Sequence, residues 1–197
     1  MSDSRLANPM ISTRIREHLT AIDGLLRDTE YLDTVSAVAT AMTAALRVGG
    51  RVFFFGNGGS AADAQHLAAE LTGRFLRERR GLPGLALTTN TSILTAIGND
   101  YSFEEIYSRQ IQALGNTGDL AVAISTSGTS PNILRAATSA REQGLVTVGL
   151  TGAAGGKLRT LVDHCICIPS EQTPRIQEAH ILTGHILCEL IEAELFG

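Results

Sequence analysis

His66, Glu70 and Arg74 stand four residues apart in a stretch of helical periodicity, a spacing that puts neighbouring members on one face of a helix. An imidazole, a carboxylate and a guanidinium placed together can hold a metal ion, move a proton or bind an anion. A solvated face carrying a Glu–Arg pair shows the same spacing. Just upstream, Gly56-Asn57-Gly58-Gly59-Ser60 follows an apolar run and opens that helix. Its glycines let backbone N–H groups approach a ligand, and the helix N-terminus favours an anion. A second loop, Ser125-Thr126-Ser127-Gly128-Thr129-Ser130, also follows an apolar run and leads into Pro131, a residue suited to the first turn of a helix. Five hydroxyls in six residues exceed what turning requires and suit a dianionic phosphate monoester; helix capping would use only one or two of them.

Towards the end of the chain, Arg175-Ile176-Gln177-Glu178 opens another helical stretch, with His180 and His185 further along it. Gln177 and His180 are i, i+3 neighbours, whereas Gln177 and His185 lie two turns apart, and spacing does not choose between the histidines. Neither glycine- or serine-rich loop ends in the Gly-Lys-Ser/Thr of a nucleotide-binding P-loop. Gly56, Gly58 and Ala61 fit a loose dinucleotide pattern, but the next strand ends in Thr88-Thr89-Asn90 rather than in the acid that would hold a ribose. Cys165, Cys167 and Cys188 form neither a CxxC pair nor an even disulfide framework and read as core thiols. Arg77, Arg79 and Arg80 read as an exposed loop.

The elements that must position these residues follow from periodicity. Ile15, Leu19, Ile22 and Leu26, then Val35, Val38, Met42, Ala45 and Leu46, mark two amphipathic helices, the second ending at Gly49-Gly50. Buried strands are expected at Arg51 to Phe55, Leu85 to Thr88, Leu120 to Ile124, Leu145 to Leu150 and Cys165 to Ile168. Helices are expected near Ser60 to Thr72, Phe103 to Leu114, Pro131 to Gln143 and Arg175 to Leu195, with a shorter one from Gly156. Such alternation builds a parallel sheet between two helical layers, and ligands then bind beyond the carboxyl ends of the strands.

A chain of 197 residues, 44% hydrophobic and 18% charged, fits one compact domain. A net charge of −4, 5% aromatic residues and no Trp argue against a nucleic-acid surface. Met1 to Pro9 is polar and no run of apolar residues reaches membrane-spanning length, so a cytoplasmic location without membrane partners is expected.

Taken together, the Gly56–Ser60 loop, His66-x3-Glu70-Leu71-Thr72-Gly73-Arg74, Gly98-Asn99-Asp100, Ser125-Thr126-Ser127-Gly128 and Arg175-Ile176-Gln177-Glu178 resemble the motifs of the phosphoheptose isomerases of the sugar isomerase (SIS) family, over nearly the whole chain. The resemblance implies a three-layer αβα sandwich with a five-stranded parallel sheet, preceded by two N-terminal helices. The expected division is a flexible tail at residues 1–8 and a single SIS domain at residues 9–197. It further implies aldose-ketose isomerisation of sedoheptulose 7-phosphate by a homotetramer with active sites at subunit contacts. Glu70 and His185 match the family's acid-base pair; His66, Glu70, Gln177 and His185 match ligands for one Zn²⁺ per subunit. Asn57, Gly58, Gly59, Ser60, Glu70, Arg74, Asn99, Asp100, Ser125, Thr126, Ser127, Ser130 and Gln177 match substrate-contact positions. Pro174 stands where some members carry Asp before the Arg-Ile-Gln run, and Asn90 stands where Asp is common. Other SIS relatives are adaptors for the bacterial replication initiator, but they lack counterparts of Glu70 and His185. Isomerases of shorter sugar phosphates share the phosphate loops and not the whole motif set.

Overall fold

The computed structural model describes residues 8–197; of the expected tail at 1–8, residues 1–7 lie outside the described residues, and Asn8 caps the first helix through its side chain. That helix, α1 (Pro9–Arg27), is followed by α2 (Thr29–Arg47), whose first turn is capped by the Asp28 carboxylate accepting from the Tyr31 N–H. Five parallel strands follow: β1 (Val52–Gly56), β2 (Gly84–Ala86), β3 (Leu120–Ile124), β4 (Val146–Thr151) and β5 (His164–Cys167). Between and after them run α3 (Gly59–Thr72), α4 (Thr91–Asp100), α5 (Ser108–Leu114), α6 (Pro131–Glu142) and α7 (Thr173–Phe196).

The strand order is β2-β1-β3-β4-β5, with Val52 opposite Leu120 and Gly56 opposite Ile124. After β1 the chain leaves to one side for β2 and returns to the other side for β3. The crevice at this switch in direction is where an open parallel sheet binds ligands, and the loops that flank it are the Gly56–Ser60 and Ser125–Ser130 segments. The two-residue period of a strand divides the core. Val52, Phe54, Val122 and Ile124 pack under α2, α3 and α7, whereas Phe53, Phe55, Ala121 and Ala123 pack against Ile106, Ile111, Ile133 and Ala137 on the other face. His180, 1% exposed, ties α7 to the end of β4 by donating from Nε2 to the Thr151 carbonyl at 3.1 Å.

Several expectations are corrected. A helix unforeseen in the sequence, α4, carries Asn99 and Asp100 at its C-terminal end; it buries no residue fully, so it lacked a strong core-facing stripe. Asn90, one of the departures from the family pattern, caps it by accepting from the Ile93 N–H at 3.1 Å. The single helix expected over Phe103 to Leu114 is instead a 3₁₀ turn at Phe103–Glu105 followed by α5, because Tyr107 turns inward, packs its ring against Phe55 and donates to the Gly56 carbonyl at 2.6 Å. The helix expected from Gly156 is one 3₁₀ turn, Leu158–Thr160. Arg79, read as part of an exposed loop, buries its side chain and pairs it with Glu192. Cys188 is buried as expected, while Cys165 and Cys167 are half-buried on the edge strand with their sulfurs 3.8 Å apart.

Burial pushes the His180 imidazole down to about 4, against the opposing hydrogen bond to Thr151. The unfolded chain takes up a proton near pH 6.5 that the native chain refuses, so stability present above pH 6.5 is lost as pH falls towards 4. Urea unfolding is expected to record about 3 kcal/mol of loss over that window from this group, and His180→Gln should flatten it.

Candidate active site

The first ligand loop leaves β1 at Gly56 and enters α3 at Gly59. Its Asn57 amide is locked to that of Asn132 in α6 by reciprocal hydrogen bonds of 2.9 and 2.8 Å, which joins the two loops side by side. A Cβ on Gly59 would collide with the side chain of Gln177, so glycine here admits the α7 amide to the crevice. In the second loop, the Ser125 hydroxyl accepts from the Gly128 N–H at 3.2 Å and lies 3.3 Å from the Ser130 hydroxyl. Gly128 has φ of +63°, and a side chain there would strike the Gly155 carbonyl. Its own carbonyl accepts from the Leu158 N–H at 2.9 Å, which braces the loop against the chain beyond β4.

Together these segments enclose a cavity of about 310 Å³. Asn57, Gly58, Gly59 and Ser60 line it from the first loop, Ser125, Thr126 and Ser130 from the second, and Thr173 and Gln177 from the start of α7. Two helix N-termini, those of α3 and α6, and several hydroxyls converge on it, a surrounding suited to a phosphate dianion. Gly59→Ala is expected to push the Gln177 amide aside and to raise KM in steady-state kinetics with little change in melting temperature, since only the end of a flexible side chain must move; unchanged KM would remove Gln177 from the binding wall.

Further along α3 the first helical constellation closes on α7. His66 Nε2 is 2.9 Å from His185 Nε2 and 3.1 Å from Glu70 Oε1, and the three donor atoms lie within 4.8 Å of one another. Two imidazoles and one carboxylate with an open side are the donor set of a catalytic zinc site, so these residues fit a metal ion. The structure thus chooses between the histidines of α7: His185 joins the cluster, and His180 belongs to the core. Asp63, one turn before His66, was not singled out by the sequence although it shares that face. It carries a buried carboxylate oxygen without a partner among the described residues, and burial raises its pKa against the opposing charge of His66. Asn132 was missed as well; nothing in a single Asn after a proline signals an amide pair with Asn57.

The remaining expected residues do not meet in one chain. Gln177 borders the cavity, about 12 Å along α7 from His185 at 1.5 Å per residue. Ser127 is exposed and its hydroxyl accepts from Thr129. Arg74 lies 3.6 Å from Glu78 at the surface, and Asn99 and Asp100 bond to each other on the exposed end of α4.

The SIS domain family matches residues 18–152. The chain is 57% identical over 176 residues to a phosphoheptose isomerase of Rhodospirillum rubrum, covering 89% of this chain and 94% of that one. It is 51% identical over 189 residues to a phosphoheptose isomerase of Aneurinibacillus thermoaerophilus, covering 96% of each. The solved phosphoheptose isomerase of Neisseria gonorrhoeae is similar with a TM-score of 0.89 and 40% identity, covering 94% of this chain and 98% of that one.

Proposed function

We infer that this chain, which belongs to the SIS domain family and within it to the phosphoheptose isomerases, converts sedoheptulose 7-phosphate into D-glycero-D-manno-heptose 7-phosphate for heptose biosynthesis. It is an aldose-ketose isomerase. The observation that carries the reading is the convergence of Glu70, His66 and His185 on the same two helices whose N-terminal ends line the hydroxyl-rich cavity. Ser60 and His66 are six residues apart on α3, about 9 Å along its axis. That separation suits a long sugar phosphate held at one end by its phosphate and reacting at the other.

In this reading the loop N–H groups with Ser125, Thr126 and Ser130 hold the phosphate, and Gln177 orients the sugar hydroxyls between the two regions. Glu70 takes the proton from the carbon next to the carbonyl, an enediolate forms, and His185 serves the second proton transfer. His66, Glu70 and His185 would hold one zinc ion per subunit, which when bound supplies Lewis-acid polarisation of the carbonyl; Gln177, on the cavity wall two turns away, would join them as fourth donor by turning its side chain along α7 towards His185. Arg74, Asn99, Asp100 and Ser127 are proposed to reach the substrate once subunits meet.

A homotetramer is proposed on the same grounds. Met10, Ile11, Ile15, Leu19 and Leu26 on α1 are large exposed apolar side chains, and no residue of α4 is fully buried. A single domain spanning residues 9–197, in the cytoplasm and without nucleic-acid or membrane partners, completes the proposal; no helix among the described residues is long and apolar enough to cross a membrane. Light scattering at micromolar concentration is expected to give four chains, and a stable monomer would sink the tetramer. The activity itself is tested by incubating the purified protein with sedoheptulose 7-phosphate in deuterated water. Aldoheptose carrying deuterium at C2 is expected; no aldoheptose with zinc supplied would overturn the reading.

A further inference from the structure

Beyond Thr72 the chain turns back along α3 and presents four backbone or side-chain donors to one acid. The Glu192 carboxylate, on α7, accepts from the N–H groups of Phe75 at 2.9 Å, Leu76 at 2.9 Å and Arg77 at 3.0 Å, and from Arg79 Nε at 2.6 Å. The guanidinium in turn donates to the carbonyls of Glu70 at 2.8 Å, Leu71 at 2.9 Å and Arg80 at 3.1 Å. The Glu70 and Leu71 carbonyls belong to the last turn of α3, where a helix has no donor partners of its own to offer them. The two side chains are 1% and 2% exposed, and no other ion pair among the described residues is as buried. Burial raises the Glu192 pKa and the four hydrogen bonds more than reverse it, so the carboxyl sits below its usual range.

A buried ion pair is costly unless its remaining donors and acceptors are met. An apolar pair of equal volume would hold the helices together as well, yet it could not cap those carbonyls and amides in one fixed arrangement. Both partners of the clamp also reach the candidate active site. Arg79 grips the backbone of Glu70 itself, and Glu192 grips the N–H of Phe75, whose ring lies 5.4 Å from that of His185. Glu192 follows His185 by seven residues, two turns along the same face of α7. Each helix step turns by about 100°, so slippage of the α3 terminus by a fraction of a residue would swing the Glu70 carboxylate away from His66 and His185.

We propose that Arg79 and Glu192 are positioning residues for the isomerase site: their buried clamp sets the direction of Glu70 through its backbone and of His185 through Phe75. The inference rests on the catalytic roles proposed for Glu70 and His185. Zinc titration against a chromogenic chelator, beside steady-state kinetics and thermal melting, tests it on the full-length chain with Arg79→Lys, Glu192→Gln and, as a control, Ile111→Ala on the opposite face of the sheet. The pair variants are expected to weaken zinc binding and lower kcat by about 10- to 100-fold, while KM, set mainly at the phosphate loops, moves by no more than about threefold. Ile111→Ala, with a comparable loss of melting temperature, should keep wild-type zinc affinity. Zinc affinity and kcat near wild type in both pair variants would overturn the positioning role, as would an equal loss in Ile111→Ala. Should neither pair variant fold, Phe75→Leu at a partly exposed position decides, and wild-type zinc affinity there overturns the clamp. If wild type itself binds no zinc, the site reading and the clamp fall together. If wild type binds zinc and Glu70→Gln loses turnover while the pair variants match wild type, the clamp alone falls.

Discussion

Glu70→Gln is expected to lower kcat by about 10² to 10⁴, the range lost with a positioned general base, while KM and binding of inorganic phosphate change little. The substitution keeps the shape of the side chain and its place beside His66, where Oε1 now lies 3.1 Å from the ring nitrogen. It removes the basic oxygen that takes the proton, and a weakened zinc site would add to the loss. The phosphate contacts sit at the other end of α3, around Ser60 and the Ser125–Ser130 loop, so they should survive. Such a fall corresponds to about 3 to 5.5 kcal/mol of lost transition-state stabilisation, beyond the range in which a repacked surface glutamate would be expected to act. Turnover within tenfold of wild type would mean that another group is the base and would end this mechanism. His185→Gln should act in the same direction, and its effect is harder to read because it removes an imidazole metal donor along with the second proton-transfer group.

Removal of metal by a chelator is expected to reduce turnover by about 10³, since stabilisation of charge developing on the substrate oxygen is worth several kcal/mol, and zinc should restore it. Stability gives an independent readout. Zinc at a hundred times its dissociation constant should add about 2.7 kcal/mol, a rise in melting temperature of about 5–10 °C for a chain of this size. Protein purified without chelator that holds no metal, and that neither melts higher nor turns over faster when zinc is added, would remove zinc from the proposal.

The order and types of residues in the chain determined the parallel sheet. Runs such as Leu120–Ile124, apolar on both faces and separated by helical periodicity, have no other way to bury two sides at once. They determined the two ligand loops as well, because glycines and hydroxyls at a strand-to-helix junction are a local property. The pairing of His66 with Glu70 was legible for the same reason, being set by one turn of one helix. What lay across the fold was not legible. Whether His180 or His185 joins His66 depends on how α7 is rotated against α3, a matter of packing that spacing along one helix does not contain. Helix α4 left no clear stripe to read because none of its residues is fully buried in the fold. Arg79 looked like one more solvated cation in an arginine-rich turn; only the arrival of Glu192, 113 residues later, made it a buried clamp on Glu70. Local chemistry follows from neighbours in sequence, whereas burial and partnership of charges follow from contacts that exist only once distant segments have packed.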